Sequence, residues 1–391
     1  SSAVLSNALL SPMLDVPRSE PHGMVRHLCW PRRALTCCLA LVAAASASPA
    51  ACPGNTTAAE VLAGLDLSSK TAVVTGGDSG LGYEVARALA YRGASVVIAN
   101  RNETSGQRAA KQIAQETGAR IEAMHLDLGS LASVRAFASE CRQKLPSGLD
   151  LLINNGGIGG PSKMTADGFE LVFEVDYLGH FLLTELMLPS LRAAAASRGG
   201  ARMVNVASGA HENACESAGW PADCFKDWTY LPPPMVPVKN VTVHTKSGVV
   251  TQRSSSYGIA KFLNIQHAAA VARREERAGV QAFSLTPGFA LTSMTQHYDP
   301  SDPKMQSICA QQVAPDPSLP RNPCPFSAEQ GAAVIAYLAT GQGLTSGAYF
   351  SRTWACEQRP VVMQGFSEES VLELYKRSLQ WAGIGESLVV L

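Results

Sequence analysis

The chain has 391 residues, and its 32 Lys and Arg balance 32 Asp and Glu. Zero net charge leaves no electrostatic footprint for a nucleic-acid partner. A hydrophobic content of 46% is ample for a buried core, in one large domain or two small ones.

Residues 1–55 read as a leader. From Met24, the basic residues Arg26, Arg32 and Arg33 precede an uncharged apolar run over 34–45, and small residues follow over 46–51. Over 24–51 this is the order of a secretory signal peptide. The run is short and alanine-rich for a membrane span, with an uncleaved signal anchor as the alternative. The expected destination is the secretory pathway, either the ER lumen or the exterior. A plastid reached through a two-part leader is the alternative. Any membrane contact is expected through the leader or the loops.

Ten cysteines occur, with Cys29, Cys37 and Cys38 in the leader. The other seven are Cys52, Cys141, Cys215, Cys224, Cys309, Cys324 and Cys356. Cys215 and Cys224 share one loop, and Cys309 and Cys324 another. In an oxidising compartment both pairs are candidate disulfides, and free thiols are the equal alternative. No spacing resembles a zinc site, and no metal is expected. Asn55-Thr-Thr, Asn102-Glu-Thr and Asn240-Val-Thr are glycosylation triplets.

The domain is expected over 65–391. Residues 71–75 form an apolar, β-branched strand. The strand runs into a glycine turn holding Gly76, Asp78, Ser79, Gly80, Leu81 and Gly82. A helical pattern covers 83–92. Strand, glycine turn and helix together make a dinucleotide site, because glycines admit a pyrophosphate and a helix N-terminus offers it free N–H groups. The next strand, 94–99, delivers Asn100 and Arg101 to the adenosine ribose. An acidic residue there would bind a 2′-hydroxyl, whereas a basic one accommodates a 2′-phosphate. Arg101 therefore points to NADP(H). A glycan on Asn102 would crowd that edge, so Asn102 is expected to be unmodified.

Helices follow near 103–117, 130–145 and 169–196, with strands over 120–126, 149–153 and 202–207. These strands end at Asp127 and Leu128 beside the adenine, at Asn154 before Gly156, and at Ser208. A helix opens at Tyr257, then a strand covers 280–285 ahead of Pro287 and Gly288. The tail holds a helix near 328–339, a strand near 347–350 and an amphipathic helix near 368–382. This alternation predicts an α/β, Rossmann-type, doubly wound parallel sheet with helices on both faces. Two long loop insertions break the rhythm, at about 211–253 and 297–326. Each is long for a connector and is expected to be a lid or binding loop.

Tyr257 and Lys261 stand four residues apart on one helical face. A free phenol, with a pKa of about 10, is a poor proton carrier at neutral pH. A neighbouring ammonium favours the phenolate and lowers that value.

Together these residues resemble the short-chain dehydrogenase/reductases, from about residue 67 to the C-terminus. The matching stretches are Thr75-Gly-Gly-Asp-Ser-Gly-Leu-Gly82, Asn154-Asn-Gly-Gly157 (with Gly156 for a family Ala), Ser208, Tyr257-x-x-x-Lys261, and Pro287-Gly288 with Thr292. Leu178-Gly-His-Phe-Leu-Leu-Thr184 is similar to the retinol dehydrogenase-like branch, which acts on lipophilic alcohols and carbonyls, often with NADP(H). Light-dependent protochlorophyllide reductase is a related member with a long insertion before its tyrosine.

The resemblance implies that Tyr257 exchanges a proton with the substrate oxygen, while Ser208 hydrogen-bonds that oxygen. It implies that Lys261 holds the nicotinamide ribose, and that NADPH supplies the hydride. It also implies cofactor contacts at Gly156, Pro287, Gly288 and Thr292, and a homodimer through the two long central helices. One departure stands out. The branch usually has Asn where this chain has Asp176, and the backbone there holds a relay water. An extra carboxylate near Lys261 slows or redirects the relay, or is tolerated if the backbone carbonyl carries the role. Two alternatives to a lipophilic-substrate reductase are a pigment reductase and a nucleotide-binding assembly protein without turnover.

Overall fold

Eight short strands make one sheet, and its buried strands are apolar on both faces, as in Ala72, Val73 and Val74. The computed structural model describes residues 52–160, 163–215, 224, 240–245, 248–253, 256–295, 303–311, 322–361 and 366–385. The signal-like segment 24–51 lies outside the described residues.

The strands are β1 (Thr71–Thr75), β2 (Ser95–Asn100), β3 (Ile121–His125), β4 (Leu151–Asn154) and β5 (Ala201–Val206). A hairpin supplies β6 (Asn240–Thr245) and β7 (Gly248–Arg253). The sheet is completed by β8 (Val280–Thr286), β9 (Tyr349–Ser351) and β10 (Glu357–Arg359). Its order is β10-β9-β8-β5-β4-β1-β2-β3, parallel throughout except for β10 against β9. Winding starts at β1, runs outward to β3, then crosses to β4 on the other side of β1. That reversal opens a crevice at the carboxyl ends of β1 and β4, where such sheets bind ligands.

Two cores sandwich the sheet. On one face, helices Leu131–Lys144, Gly179–Arg198, Tyr257–Glu275 and Glu368–Trp381 contribute Phe137, Phe181, Phe262 and Leu374. On the other, Gly80–Tyr91, Glu103–Thr117 and Ala333–Thr340 contribute Leu89, Ile113 and Ile335.

Several expectations need correction. The helix expected over 83–92 starts at Gly80, inside the glycine turn, and follows a short helix over Ala58–Val61. The helix expected over 169–196 is two helices, Leu171–Phe173 and Gly179–Arg198, joined by a π-turn over Glu174–Leu178. A Cβ on Gly179 would overlap the Leu128 carbonyl, so the turn needs glycine there. The insertions are not plain loops. The first contains the β6–β7 hairpin, and the second contains the helix Pro303–Gln311.

The domain also begins earlier than 65, and residues 52–55 belong to it rather than to a leader. Cys52 is disulfide-bonded to Cys356, 304 positions away. The fully buried Arg352 donates to the carbonyls of Cys52, Gly54 and Thr56. Both candidate pairs, Cys215–Cys224 and Cys309–Cys324, are disulfides, and Cys141 is a buried free thiol. Among the described residues, no helix is long and apolar enough to cross a membrane.

Candidate active site

The glycine turn closes against the end of β4. Gly76 has φ +62°, and a Cβ there would lie 2.9 Å from the Gly156 Cα. A Cβ on Gly82 would overlap the Gly76 carbonyl and the Asn155 amide. Both positions therefore require glycine. Ser79 caps the Gly80–Tyr91 helix without a side-chain hydrogen bond, so its side chain satisfies none of the first-turn N–H groups. Such an uncapped N-terminus fits a pyrophosphate. A Cβ on Gly80 would sit 3.3 Å from the Thr292 side chain, so the loop after β8 closes over this turn.

Asp78 accepts a 2.6 Å hydrogen bond from the Ser105 hydroxyl, which ties the turn to the Glu103–Thr117 helix. Arg101 is exposed just after β2. Asn102 next to it caps that helix, accepting from Ser105 N–H at 3.1 Å. Asp127 accepts from Gly129 N–H at 3.0 Å, and Leu128 is buried. A Cβ on Gly156 would meet Leu128 at 2.9 Å. Pro287 and Gly288 follow β8 directly, and Gly288 has φ +72°.

Asn154, expected to contact the cofactor, has its side chain engaged within the fold. Its buried side chain donates to Thr184 and Asn205, at 2.9 and 2.8 Å, and stitches β4 to β5 and the Gly179–Arg198 helix. The neighbouring Asn155 braces the turn instead, donating to the Thr75 carbonyl at 2.9 Å. Thr75 Oγ1 accepts from Asn155 N–H and Gly156 N–H, at 2.9 and 2.8 Å. Its single proton has two acceptors in reach, His180 Nε2 at 2.8 Å and the Ile153 carbonyl at 3.4 Å, and the shorter contact assigns it to His180. Burial pushes His180 down to about 3, so the imidazole is neutral. With Nε2 accepting, Nδ1 carries the proton and faces the Asp176 carbonyl at 3.4 Å.

Ser208 follows β5 by two residues and caps the short turn Gly209–Asn213, its hydroxyl accepting from Ala210 N–H at 3.2 Å. Gly258 packs against that turn, where a Cβ would lie 2.8 Å from the Ala210 carbonyl. The start of the Tyr257–Glu275 helix is thereby pressed onto the Ser208 turn. Lys261 is buried, with Nζ 5.4 Å from the Tyr257 ring centre. Nζ donates to the Val206 carbonyl at 3.2 Å and lies 3.1 Å from Asp176 Oδ2. Burial opposes the Lys261 ammonium, but the Asp176 carboxylate outweighs it and raises its pKa. Burial raises Asp176 as well, against the pull of Lys261 and of the Ile158 N–H that donates to Oδ1 at 2.8 Å.

Sequence reasoning missed Asn155, Thr75, His180, Glu170 and Asn264. Asn264 donates to the Asp176 carbonyl at 2.9 Å. The buried Glu170 accepts from the Ser256 hydroxyl and from Phe173 N–H. The signal was available for His180 and Asn264, each a polar residue at an apolar position of a helical pattern, whereas Thr75 ends β1, Asn155 follows β4 and Glu170 caps a helix.

Residues 70–219 match the family model described as short chain dehydrogenase. A WW domain-containing oxidoreductase of Danio rerio is 34% identical over 335 residues, covering 84% of this chain and 72% of that protein. The chain belongs to the short chain dehydrogenase family. It is also 34% identical over 246 residues to short-chain dehydrogenase TIC 32 A, chloroplastic, of Brassica napus, covering 62% of this chain and 70% of that one. A Mycobacterium paratuberculosis protein of known crystal structure is 28% identical, with TM-score 0.56, covering 84% of this chain and 98% of that one. As a short chain dehydrogenase related to the retinol dehydrogenase-like branch, this protein is an oxidoreductase of an NAD(P)(H)-dependent family.

Proposed function

We propose that the protein is an NADP(H)-dependent oxidoreductase acting on a lipophilic carbonyl or alcohol. The observation that carries this is the packing of the Tyr257 helix start onto the Ser208 turn, with Lys261 buried beneath Tyr257. The uncapped turn at Ser79, Gly80 and Leu81 would take the pyrophosphate, and Arg101 the 2′-phosphate. Bound NADP(H) supplies or accepts the hydride. Tyr257 gives its proton to the carbonyl oxygen, or takes one from the alcohol. Ser208 hydrogen-bonds the same oxygen as charge develops on it. Lys261 spends two of its three donors on Asp176 and Val206, and keeps one for the ribose.

The test is fluorescence titration with NADPH and NADH, on the wild type and Arg101→Ala. Tight NADPH binding that weakens selectively in the variant supports the cofactor reading. A panel of retinals, ketosteroids and aliphatic and aromatic aldehydes then tests the substrate class, and no turnover across it would overturn that reading. A second reading, nucleotide binding without turnover, draws on the Asp176–Lys261 pair at the relay position. NADPH binding with no turnover, unchanged by Tyr257→Phe, would favour it. The pigment-reductase alternative draws on the 211–253 insertion alone, and light-dependent reduction of protochlorophyllide would establish it. The proposed destination remains the secretory pathway, with the plastid alternative supported by the chloroplastic relative.

A further inference from the structure

We infer that Asn55 is an N-glycosylation site, used while the chain enters an oxidising lumen. Two independent sets of observations meet here. The first concerns thiols. Six of the seven cysteines at or beyond Cys52 are paired, and Cys141, the exception, is buried. Disulfides of this density persist in oxidising compartments, not in a reducing cytosol. Each pair forms by thiol–disulfide exchange, passing two electrons and two protons to an oxidised protein disulfide.

The second concerns Asn55 itself. Arg352 draws the carbonyls of Cys52, Gly54 and Thr56 inward. Gly54 adopts φ +50° and turns the chain, leaving Asn55 exposed at the tip. Its side-chain oxygen meets only Gln330, at 3.4 Å, and its amide nitrogen donates to nothing among the described residues. A sugar on that nitrogen therefore displaces no contact among the described residues. Asn102 differs, because its side chain caps a helix beside Arg101.

Timing also favours Asn55. Its neighbour Cys52 waits for Cys356, 304 residues downstream. At about 5–20 residues per second of synthesis, the Asn55 triplet stays unconstrained for roughly 15–60 s. The transfer is a simple displacement. The amide nitrogen bonds to C1 of a lipid-pyrophosphate-linked oligosaccharide, and the C–O bond to the pyrophosphate breaks. The amide proton goes to a base on the transferase, and nothing is oxidised or reduced.

The experiment expresses the full chain, with its own leader, in a eukaryotic host and purifies it without reductant. Treatment with a peptide-N-glycosidase, an amidase that hydrolyses the glycosylated side-chain amide, in ¹⁸O-water followed by peptide mass spectrometry should read Asn55 as labelled Asp. The gel shift at that site should vanish in Asn55→Gln. Alkylation of the denatured, unreduced protein should label Cys141 alone among residues 52–391. An unlabelled Asn55, or alkylation at any of the six paired cysteines, would overturn the inference. The peptide measurement uses the wild type, so poor folding of the variant does not obscure it.

Discussion

Asp176 Oδ2 lies 3.1 Å from Lys261 Nζ, and both side chains are buried. The same carboxylate accepts from Ile158 N–H through Oδ1. Two donors thus converge on one side chain, and a carboxylate can accept from both. The backbone carbonyl of Asp176 is already engaged by Asn264 and faces His180. Its side chain, not its carbonyl, is therefore the group in contact with Lys261.

Asp176→Asn should keep or raise turnover while lowering stability. An amide has one oxygen, so either Ile158 N–H or Lys261 Nζ loses its acceptor. An unsatisfied buried donor costs about 1–3 kcal/mol. The removed carboxylate also frees a Lys261 proton for the relay. Denaturant unfolding and steady-state kinetics on the same samples check both halves. A collapse in turnover would mean that the carboxylate itself takes part in the reaction.

Glu174 should make stability fall with rising pH. Its carboxyl oxygens are buried and meet no hydrogen-bond donor in good geometry among the described residues. Burial pushes its pKa up to about 7. A raised carboxyl favours the folded state while protonated. Its contribution is complete below the unfolded value near 4.3 and is lost as pH rises through about 7. The loss is on the order of 3 kcal/mol at 1.36 kcal/mol per pKa unit. Glu174→Gln removes this titration. Unfolding free energies at several pH values should therefore show wild type and variant diverging across that window, and parallel curves would refute the assignment.

The parts legible in the sequence were those encoded locally. The run over 71–75 and its glycines carry their own periodicity and φ demands, so strand, turn and crevice could be read directly. The π-turn could not, because the apolar pattern runs unbroken across 171–198 and nothing local marks the extra residue. Asn154 was legible as a strand end, but its side-chain bonds were not. Its actual partners, Thr184 and Asn205, are 30 and 51 positions away. Cys52 and Cys356 were equally opaque, being brought together only once the whole sheet has formed. The β6–β7 hairpin was hidden by brevity, since its valines alternate over too few residues to stand out from a mixed insertion.

The chain should be a monomer with respect to its two long central helices. A homodimer through them was the expectation from family resemblance, but the Glu368–Trp381 helix covers that face within one chain. Tyr177 and Ser378 hydroxyls meet at 2.6 Å, and Tyr375 donates to Glu185 at 2.7 Å. The Arg274 guanidinium sits 4.7 Å over the Tyr375 ring, and Phe173 packs edge-on against Trp381. The apolar area a partner would bury is already buried. Light scattering after size exclusion should return the mass of one chain at micromolar concentration. A stable dimer whose cross-links join the two Gly179–Arg198 helices would refute this.

Gly258→Ala should damage catalysis without touching the nucleotide site. The added methyl would stand 2.8 Å from the Ala210 carbonyl and 3.0 Å from the Ala214 Cα. Both are backbone atoms and cannot swing aside. Either the Tyr257 helix start or the Ser208 turn must shift, by a few tenths of an ångström or more. Overpacking of this kind costs about 1–3 kcal/mol. Misplacing a proton donor relative to its partner costs on the order of 10–100-fold in rate. The glycine turn at Gly76–Gly82 is built on β1, β4 and Asn155, none of which contacts Gly258 in this way. NADPH affinity should therefore stay at the wild-type value while kcat falls. Equal losses in both would mean that the substitution disturbs the whole domain, and that Gly258 does not set the spacing of Ser208 and Tyr257.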